Sequence, residues 1–411
     1  MPDPRILVIV LAGGEGKRLL PLTADRAKPA VPFGGSYRLI DFVLSNFGNA
    51  HYTKIVVLTQ YKSHSLDLHI TRTWRFSNLL GSYVTPVPAQ MRRGPFWFSG
   101  SADAIYQNLN LVHDEKPDIV CVFGADHIYR MDPRQMVADH IAHGGGVSVA
   151  AIPVPIEEAK AFGVIEADEN QRILAFHEKS QTPPTMPGDD TRCLASMGNY
   201  VFDTDALIHA VTPGRLSESP LDIGGDVMPR LAEEGLARVY DFSTNSIPGQ
   251  DEREHSYWRD VGTVDAYYDA NMDLVASVPV FNLYNDNWPV FTHSPPMPPA
   301  KLSRGPSGRL PEVSDTLLCH GAIVSGAIAR GSIIGPSGFV SEAELDGALL
   351  FSGVSVGEGA RLRRCVVDKN VAIPPGFRLG IDPEEDRERG FTVSPGGVVV
   401  IPKGAVLAPR D

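Results

Sequence analysis

The feature that most restricts the fold is a rhythm in the last quarter of the chain. Apolar residues fall at Ile328, Ile334, Val340, Leu345, Leu350, Val356, Leu362, Val367, Ile373 and Leu379, five or six residues apart, with small residues and glycines between them. A helix repeats every 3.6 residues and a strand every 2, so neither produces this spacing. The rungs of a left-handed parallel β-helix do, because each rung stacks its apolar side on the next. An antiparallel sandwich with regular turns is the alternative. The repeat places this domain at residues 313–411.

The first two-thirds reads differently. Short apolar runs at Ile6–Leu11, Ile55–Thr59, Ile119–Phe123 and Val147–Ile152 alternate with amphipathic or polar stretches. That is the pattern of a mainly parallel sheet covered by helices on both faces. Residues 1–277 are expected to form this α/β domain, with ligands outside the carboxyl ends of its strands. Residues 278–312 are expected to connect the two domains, since Pro295-Pro296-Met297-Pro298-Pro299 continues neither helix nor central strand. Tyr284 and Trp288 are expected to pin this connector.

Charge and cysteine usage narrow the partners. A net charge of −12 argues against a nucleic-acid partner, which would require clustered cations. The four cysteines are scattered and include no Cys-x-x-Cys pair, so buried thiols in a reducing cytoplasm are expected. No apolar run reaches the roughly 20 residues of a membrane span, so no membrane association is expected.

Directly after the first run comes Leu11-Ala12-Gly13-Gly14-Glu15-Gly16-Lys17-Arg18-Leu19. Glycines let main-chain N–H groups close on phosphate oxygens, and a following helix N-terminus would add its dipole. The loop lacks P-loop spacing, and Leu19 stands where a dinucleotide fingerprint needs a third glycine. It continues into Leu22-Thr23 and Arg26-Ala27-Lys28-Pro29-Ala30. Here the sequence resembles the nucleotide-diphospho-sugar pyrophosphorylases, and among them the bacterial ADP-glucose pyrophosphorylases. Further matching segments are Phe33-Gly34-Gly35, Arg38-Leu39-Ile40-Asp41-Phe42, Pro88-Ala89-Gln90, Gly124-Ala125-Asp126-His127-Ile128-Tyr129, Ala161-Phe162-Gly163-Val164, Glu178-Lys179, Ser196-Met197-Gly198 and Tyr257-Trp258-Arg259-Asp260-Val261-Gly262-Thr263.

The resemblance implies a Rossmann-like nucleotidyltransferase domain followed by the β-helix. It also implies a reaction, the first committed step of glycogen or α-glucan synthesis. A phosphate oxygen of α-D-glucose 1-phosphate attacks the α-phosphorus of ATP, giving ADP-glucose and pyrophosphate. The nucleophile is already anionic, so the protein must hold two polyanions together and offset developing charge rather than activate a nucleophile. On this resemblance Arg18 and Lys28 meet the β- and γ-phosphates, Gly13 and Gly14 cradle them, and Asp126 with Asp260 holds Mg²⁺. Lys179 grips the sugar phosphate, Glu178 accepts sugar hydroxyls, and Gly163 and Ser196 line the sugar pocket. Gln90 reads the adenine edge, Gly100 lets the base lie close to the backbone, and Phe98 flanks the nucleotide where relatives often carry Tyr. His127 is expected to be a structural hydrogen-bonding residue, because the chemistry needs no acid–base group.

The resemblance further implies a homotetramer switched by phosphorylated metabolites, with Arg26, Arg38, Arg363, Arg364 and Lys403 forming an anion pocket. Asp25 stands where some relatives carry an activator-binding Lys, which reverses the charge there. Two rival readings are a UTP- or dTTP-using sugar nucleotidyltransferase and a catalytically silent regulatory subunit. An acetyltransferase role for the β-helix is disfavoured, because His320 is its only histidine.

Overall fold

Runs rich in Val, Ile and Leu are buried on both faces, which makes them strands of a covered sheet rather than half-exposed ones. The computed structural model describes residues 3–408 apart from 78, 80, 91–95, 179, 187 and 213–221. In chain order the first thirteen strands are β1 (Ile6–Ala12), β2 (Pro32–Phe33), β3 (Tyr37–Arg38), β4 (Lys54–Thr59), β5 (Tyr83–Pro88), β6 (Ile119–Gly124), β7 (His127–Tyr129), β8 (Val147–Pro155), β9 (Gly163–Ala167), β10 (Ile173–Glu178), β11 (Arg192–Asp203), β12 (Ala237–Asp241) and β13 (Trp258–Asp260). All four apolar runs of the sequence lie in strands.

The main sheet is mixed. Strands β6, β1, β4 and β5 run parallel side by side, so the ends of β1 and β6 emerge together, Leu11 opposite Gly124. Beyond β6 the long strand β11 runs antiparallel, with β6 and β9 along one side and β8 along the other, its pairing to β8 interrupted between Ser196 and Tyr200. Apart from this sheet, β7 and β13 form a two-stranded antiparallel ribbon, with His127 opposite Asp260 and Tyr129 opposite Trp258. Helices pack on both faces, each over its own apolar core.

Apart from one antiparallel pair at the end, Thr392–Val393 on Val399–Ile401, the C-terminal strands are paired in parallel, as a β-helix requires and a sandwich does not. Leu302, Val324, Val340, Val356 and Ile373 stack in one sheet, and Val313, Ala329, Leu345, Leu362 and Leu379 in another. Each fully buried Val or Leu contributes about 1.5–3 kcal/mol of burial free energy, so the column is a substantial core. The rhythm is off by one at its start, since Ala329 points inward while Ile328 is only half-buried. Lys301–Ser303, inside the stretch expected as connector, is already a strand of the coil. Of the two expected pins, Trp288 is buried and its indole N–H faces Asn46 Oδ1 at 3.4 Å. Tyr284 is 74% exposed and pins nothing. Its backbone lies in a turn closed by Asn282, which leaves the ring outside.

The two domains share one core. Phe33, Leu39, Tyr267, Tyr268 and Phe281 pack with Ile333, Leu349, Phe351, Val366, Val398 and Val400 of the coil. Tyr268 OH donates to the Gly347 carbonyl at 2.7 Å. Arg26 Nη2 reaches both carboxylate oxygens of Asp368 at 2.9 Å in a buried pair. Among the described residues no helix is long and apolar enough to cross a membrane.

Gly35 sits in this seam with φ of 77°, and a Cβ on it would stand 2.4 Å from Cys319 Sγ. Gly35→Ala is expected to cost about 1–3 kcal/mol of stability as overpacking, read as a lower melting midpoint. It should also open the seam enough for a thiol reagent to reach Cys319, while the buried thiols of Cys121, Cys193 and Cys365 stay silent. Wild-type reactivity at Cys319 would show that this glycine does not close the seam.

Candidate active site

The parallel half of the sheet places its loops at one carboxyl edge, where the glycine loop leaves β1 and Asp126 follows β6. Gly16 is left-handed, φ 67°, and a Cβ there would fall 3.0 Å from both Lys28 Cβ and Thr23 Cγ2. Glycine is therefore required by backbone conformation and by packing alike. The loop leads into a single 3₁₀ turn, Lys17–Leu19, and the first α-helix begins only at Leu39. The expected helix dipole behind the loop is thus absent, and a ligand there would have to be met by main-chain amides and side chains.

Lys28 is buried, and its ammonium donates to Asp126 Oδ2 at 2.8 Å and Asp260 Oδ1 at 3.3 Å. Arg18 is 60% exposed and stands 3.9 Å from Asp260 Oδ2. The sequence reading set Lys28 on phosphates and the carboxylates on a metal; the structure brings all three into contact. Burial alone would raise the Asp126 pKa, but the Lys28 ammonium and then His127 reverse this and hold the carboxyl well below its usual range. For Lys28, burial works against the charge, and Asp126 and Asp260 outweigh it, so its pKa is raised. The stabilising share of Asp126 is present at neutral pH and fades on strong acidification; that of Lys28 fades only above the ordinary lysine range.

Two carboxylates that close repel unless a cation lies between them. His127 joins them: its Nε2 is 3.7 Å from Asp126 Oδ1 and 3.9 Å from Asp260 Oδ1. Its Nδ1 is buried without a hydrogen-bond partner, so the purely structural hydrogen-bonding role expected for it is not what the geometry gives. Asp126, His127 and Asp260 present ligand atoms all within 4.8 Å of one another, a donor set that fits a divalent cation in the position the ammonium now fills.

Of the expected sugar-side residues, Gly163 and Glu178 are brought together. Gly163 pairs with Glu178 across β9 and β10, and a Cβ on Gly163 would lie 2.7 Å from the Phe176 ring and 3.0 Å from Glu178 Oε2. Phe162, Trp258 and His127 form a chain of edge-to-face rings, 5.1 and 4.9 Å between centroids, from that wall to the carboxylates. Ser196 lies at the interruption in β11 and accepts from Gly198 N at 3.3 Å. The sequence reading missed Asp222, whose carboxylate caps Gly224 and Gly225 beside Glu178. Lys179 lies outside the described residues. A cleft of about 1050 Å³ is lined by Arg18, Phe162, Trp258 and Asp260 among others.

At the glycine loop, Gly13 faces Gln60, 3.6 Å from where its Cβ would be, while a Cβ on Gly14 would meet nothing. Gln60, also missed, clamps Phe98 through both backbone groups: its amide donates to Phe98 O at 3.2 Å and Phe98 N donates back at 2.5 Å. The Phe98 ring packs on the edge of the core. Gln90 is exposed after β5, and Gly100 precedes the helix Ser101–Tyr106.

A family profile described as "Nucleotidyl transferase" matches residues 7–277, and one described as "GlmU-like, C-terminal hexapeptide" matches residues 298–401. A protein of Parafrankia sp. named glucose-1-phosphate adenylyltransferase is 57% identical over 99% of this chain and 100% of its own length. Proteins of the same name from Acidothermus cellulolyticus and Cutibacterium acnes are 56% and 54% identical, each covered over 98% of this chain and over 99% and 98% of their own lengths. The chain belongs to the glucose-1-phosphate adenylyltransferase family.

This member of the adenylyltransferase family carries a second cationic cluster between its domains, and it differs from the five residues expected. Arg26 is held by Asp368, and its Nη1 is buried without a partner. Arg38 donates to the Ser65 carbonyl at 2.6 Å. Lys403 pairs with Asp25 at 2.6 Å, so the reversed charge at Asp25 meets a lysine directly. Lys369, absent from the sequence reading, joins them. Burial first, then Arg38 and Arg26, push its pKa down to about 8. Arg363 and Arg364 face elsewhere. Strand alternation turns Arg363 outward to Asp346, 3.4 Å away on the next rung, and Arg364 lies over the Tyr268 ring near Asp269.

With the ammonium removed, Asp126 and Asp260 should accept a divalent ion more readily. Lys28→Met is expected to gain more thermal stabilisation from added Mg²⁺ than the wild type, about 1.4 kcal/mol for each tenfold gain in affinity. Equal shifts in the two proteins would show that the ammonium does not compete for the cation position.

Proposed function

We propose that this chain transfers the AMP moiety of ATP to α-D-glucose 1-phosphate, forming ADP-glucose and releasing pyrophosphate. The reading is carried by one observation: in a chain matched end to end by glucose-1-phosphate adenylyltransferases, Lys28 joins Asp126 and Asp260 beside the glycine loop. No Ser–His or Cys–His nucleophile is needed, because the attacking phosphate oxygen is anionic at neutral pH. What the site must supply is position and compensating charge.

Asp126 and Asp260, with His127 beside them, would hold the divalent ion, which when bound would draw charge from the phosphate oxygens. The Lys28 ammonium, once its carboxylates are otherwise neutralised, is free to meet a phosphate oxygen. Arg18 is exposed and close to Asp260, placed to add a planar guanidinium on the same charge. Gly13 and Gly14 leave room for main-chain amides to approach the phosphates, while Gln90, Phe98 and Gly100 flank the base. Glu178 and Asp222 would accept sugar hydroxyls at the glycine wall, with Gly163 and Ser196 lining the pocket and Lys179 gripping the sugar phosphate. Family membership is the support for Mg²⁺ as the ion, for a homotetramer and for a cytoplasmic location.

The decisive assay follows pyrophosphate release from glucose 1-phosphate with ATP, UTP, dTTP and GTP side by side. ATP is expected to be preferred; a tenfold preference for UTP or dTTP would overturn the adenylyl assignment. Asp126→Asn should lower turnover by about 10²-fold or more while remaining folded, and near-normal turnover would remove Asp126 from the chemistry.

The cluster of Arg26, Arg38, Lys369 and Lys403 is the proposed site for phosphorylated effectors. Its cations lie near one another, and an anion would relieve their mutual repulsion. Lys369 binds an anion only in its charged form, and that form is lost as pH rises through about 8. The concentration of a sugar phosphate needed for half-maximal effect should therefore climb across this range in the wild type and stay flatter in Lys369→Met. Identical pH profiles would exclude Lys369.

A further inference from the structure

Arg130 and Glu254 form an ion pair inside the protein, 2.5 Å apart with each side chain 1% exposed. Such a pair adds little net stability, because desolvating two charges offsets their attraction and an apolar pair of similar volume would serve as well. The cost is raised further here, since Arg130 Nε and Nη2 and Glu254 Oε2 are buried without hydrogen-bond partners. Stability does not account for the pair. Its place in the chain does.

Arg130 directly follows β7, the strand that begins at His127 beside Asp126, and Glu254 lies just ahead of β13, the strand that ends at Asp260. The two residues close the ribbon at the end opposite the carboxylates. Glu254 is itself fixed in a tight turn, with its N–H donating to Asp251 Oδ1 at 2.9 Å and its carbonyl accepting from Tyr257 N at 2.9 Å. Arg130 also donates to the Asn282 carbonyl at 2.6 Å and lies 4.6 Å from the Phe281 ring centroid. The ribbon has only three paired positions, His127 with Asp260, Ile128 with Arg259 and Tyr129 with Trp258, too few to fix its own register. A slip of one residue would turn Asp260 to the opposite face.

We infer that the Arg130–Glu254 pair is a positioning element that sets the register of β7 against β13, and so the spacing of Asp126 and Asp260. The inference rests on the proposed role of those carboxylates as metal ligands. Neither Arg130 nor Glu254 touches substrate or metal; both act through the ribbon.

The test uses Mn²⁺ alone, titrated into the full-length protein and followed by the electron paramagnetic resonance of the free ion. Because a single change would strand a buried charge, the principal variant is Arg130→Met with Glu254→Met, which removes both charges at similar volume. It is expected to melt close to the wild type yet bind Mn²⁺ about tenfold more weakly, as outer-shell changes do. Glu254→Asp, which keeps the charge and shortens the reach, should also weaken Mn²⁺ binding and decides the matter if the double variant fails to fold. Wild-type Mn²⁺ affinity in whichever of these variants folds would overturn the inference. Asp260→Asn separates the two layers: if it binds Mn²⁺ as the wild type does, the metal reading fails first, and the positioning role with it.

Discussion

Two carboxylates brought within reach of each other are the constraint around which the catalytic domain is arranged. Asp126 and Asp260 lie 134 positions apart in sequence, one after a central strand and one on the far strand of a ribbon. Like charges at this distance repel one another unless a cation lies between them. Lys28 fills that place from a third segment, and Gly16 has to be a glycine so that the loop can close over the lysine stem. Loop, lysine and carboxylates are therefore one unit. Their arrangement suits a reaction whose difficulty is accumulated negative charge.

The coil is tied to this unit by short lengths of chain. Arg26, which grips Asp368 of the coil, is two residues from Lys28. The helix Val264–Asp273, capped by Thr263, begins four residues after Asp260 and docks on the coil through Tyr268. Its Asp265 also accepts from Ser394 Oγ at 2.5 Å and from Gly396 N at 3.1 Å. A rearrangement of the coil seam would thus reach both the ammonium and one of the carboxylates without crossing the main sheet. Packed seams of this kind move between discrete arrangements rather than deforming continuously.

What the sequence made legible follows from which signals are local. Buried parallel strands announce themselves as unbroken apolar runs, and the coil by its five- and six-residue spacing, because in both cases neighbours along the chain obey one rule. Glycine requirements were visible in part: Gly16 does lie close against Thr23 and Lys28, but the helix expected behind the loop is a single 3₁₀ turn. The residues missed share a different property. Gln60 and Lys369 act on segments distant in sequence, and Asp222, besides capping its own turn, accepts from Ser101 Oγ at 2.7 Å. Lys369 stands beside Asp368 in an otherwise ordinary rung, and only docking places both against Arg26 and Arg38. Arg363 and Arg364, expected in the anion pocket on the family resemblance, make other contacts. Strand alternation turns Arg363 outward, and Arg364, at φ 41°, leaves the strand geometry toward Tyr268.

An acidic chain that must attract polyanions faces a further difficulty, since a net charge of −12 repels them at long range. Three cations of its two clusters are paired with carboxylates: Lys28 with Asp126 and Asp260, Arg26 with Asp368, Lys403 with Asp25. Pairing with Asp126 and Asp260 keeps the buried Lys28 ammonium charged, where isolated burial would neutralise a lysine. It also sets the terms of recognition. An incoming phosphate does not meet a bare cation but competes with a carboxylate already in place, so a weakly charged or poorly shaped anion gains little. Selectivity then arises as a difference between two pairings, and a ligand that brings its own divalent ion has the advantage at Lys28, because that ion satisfies the carboxylates the lysine must leave.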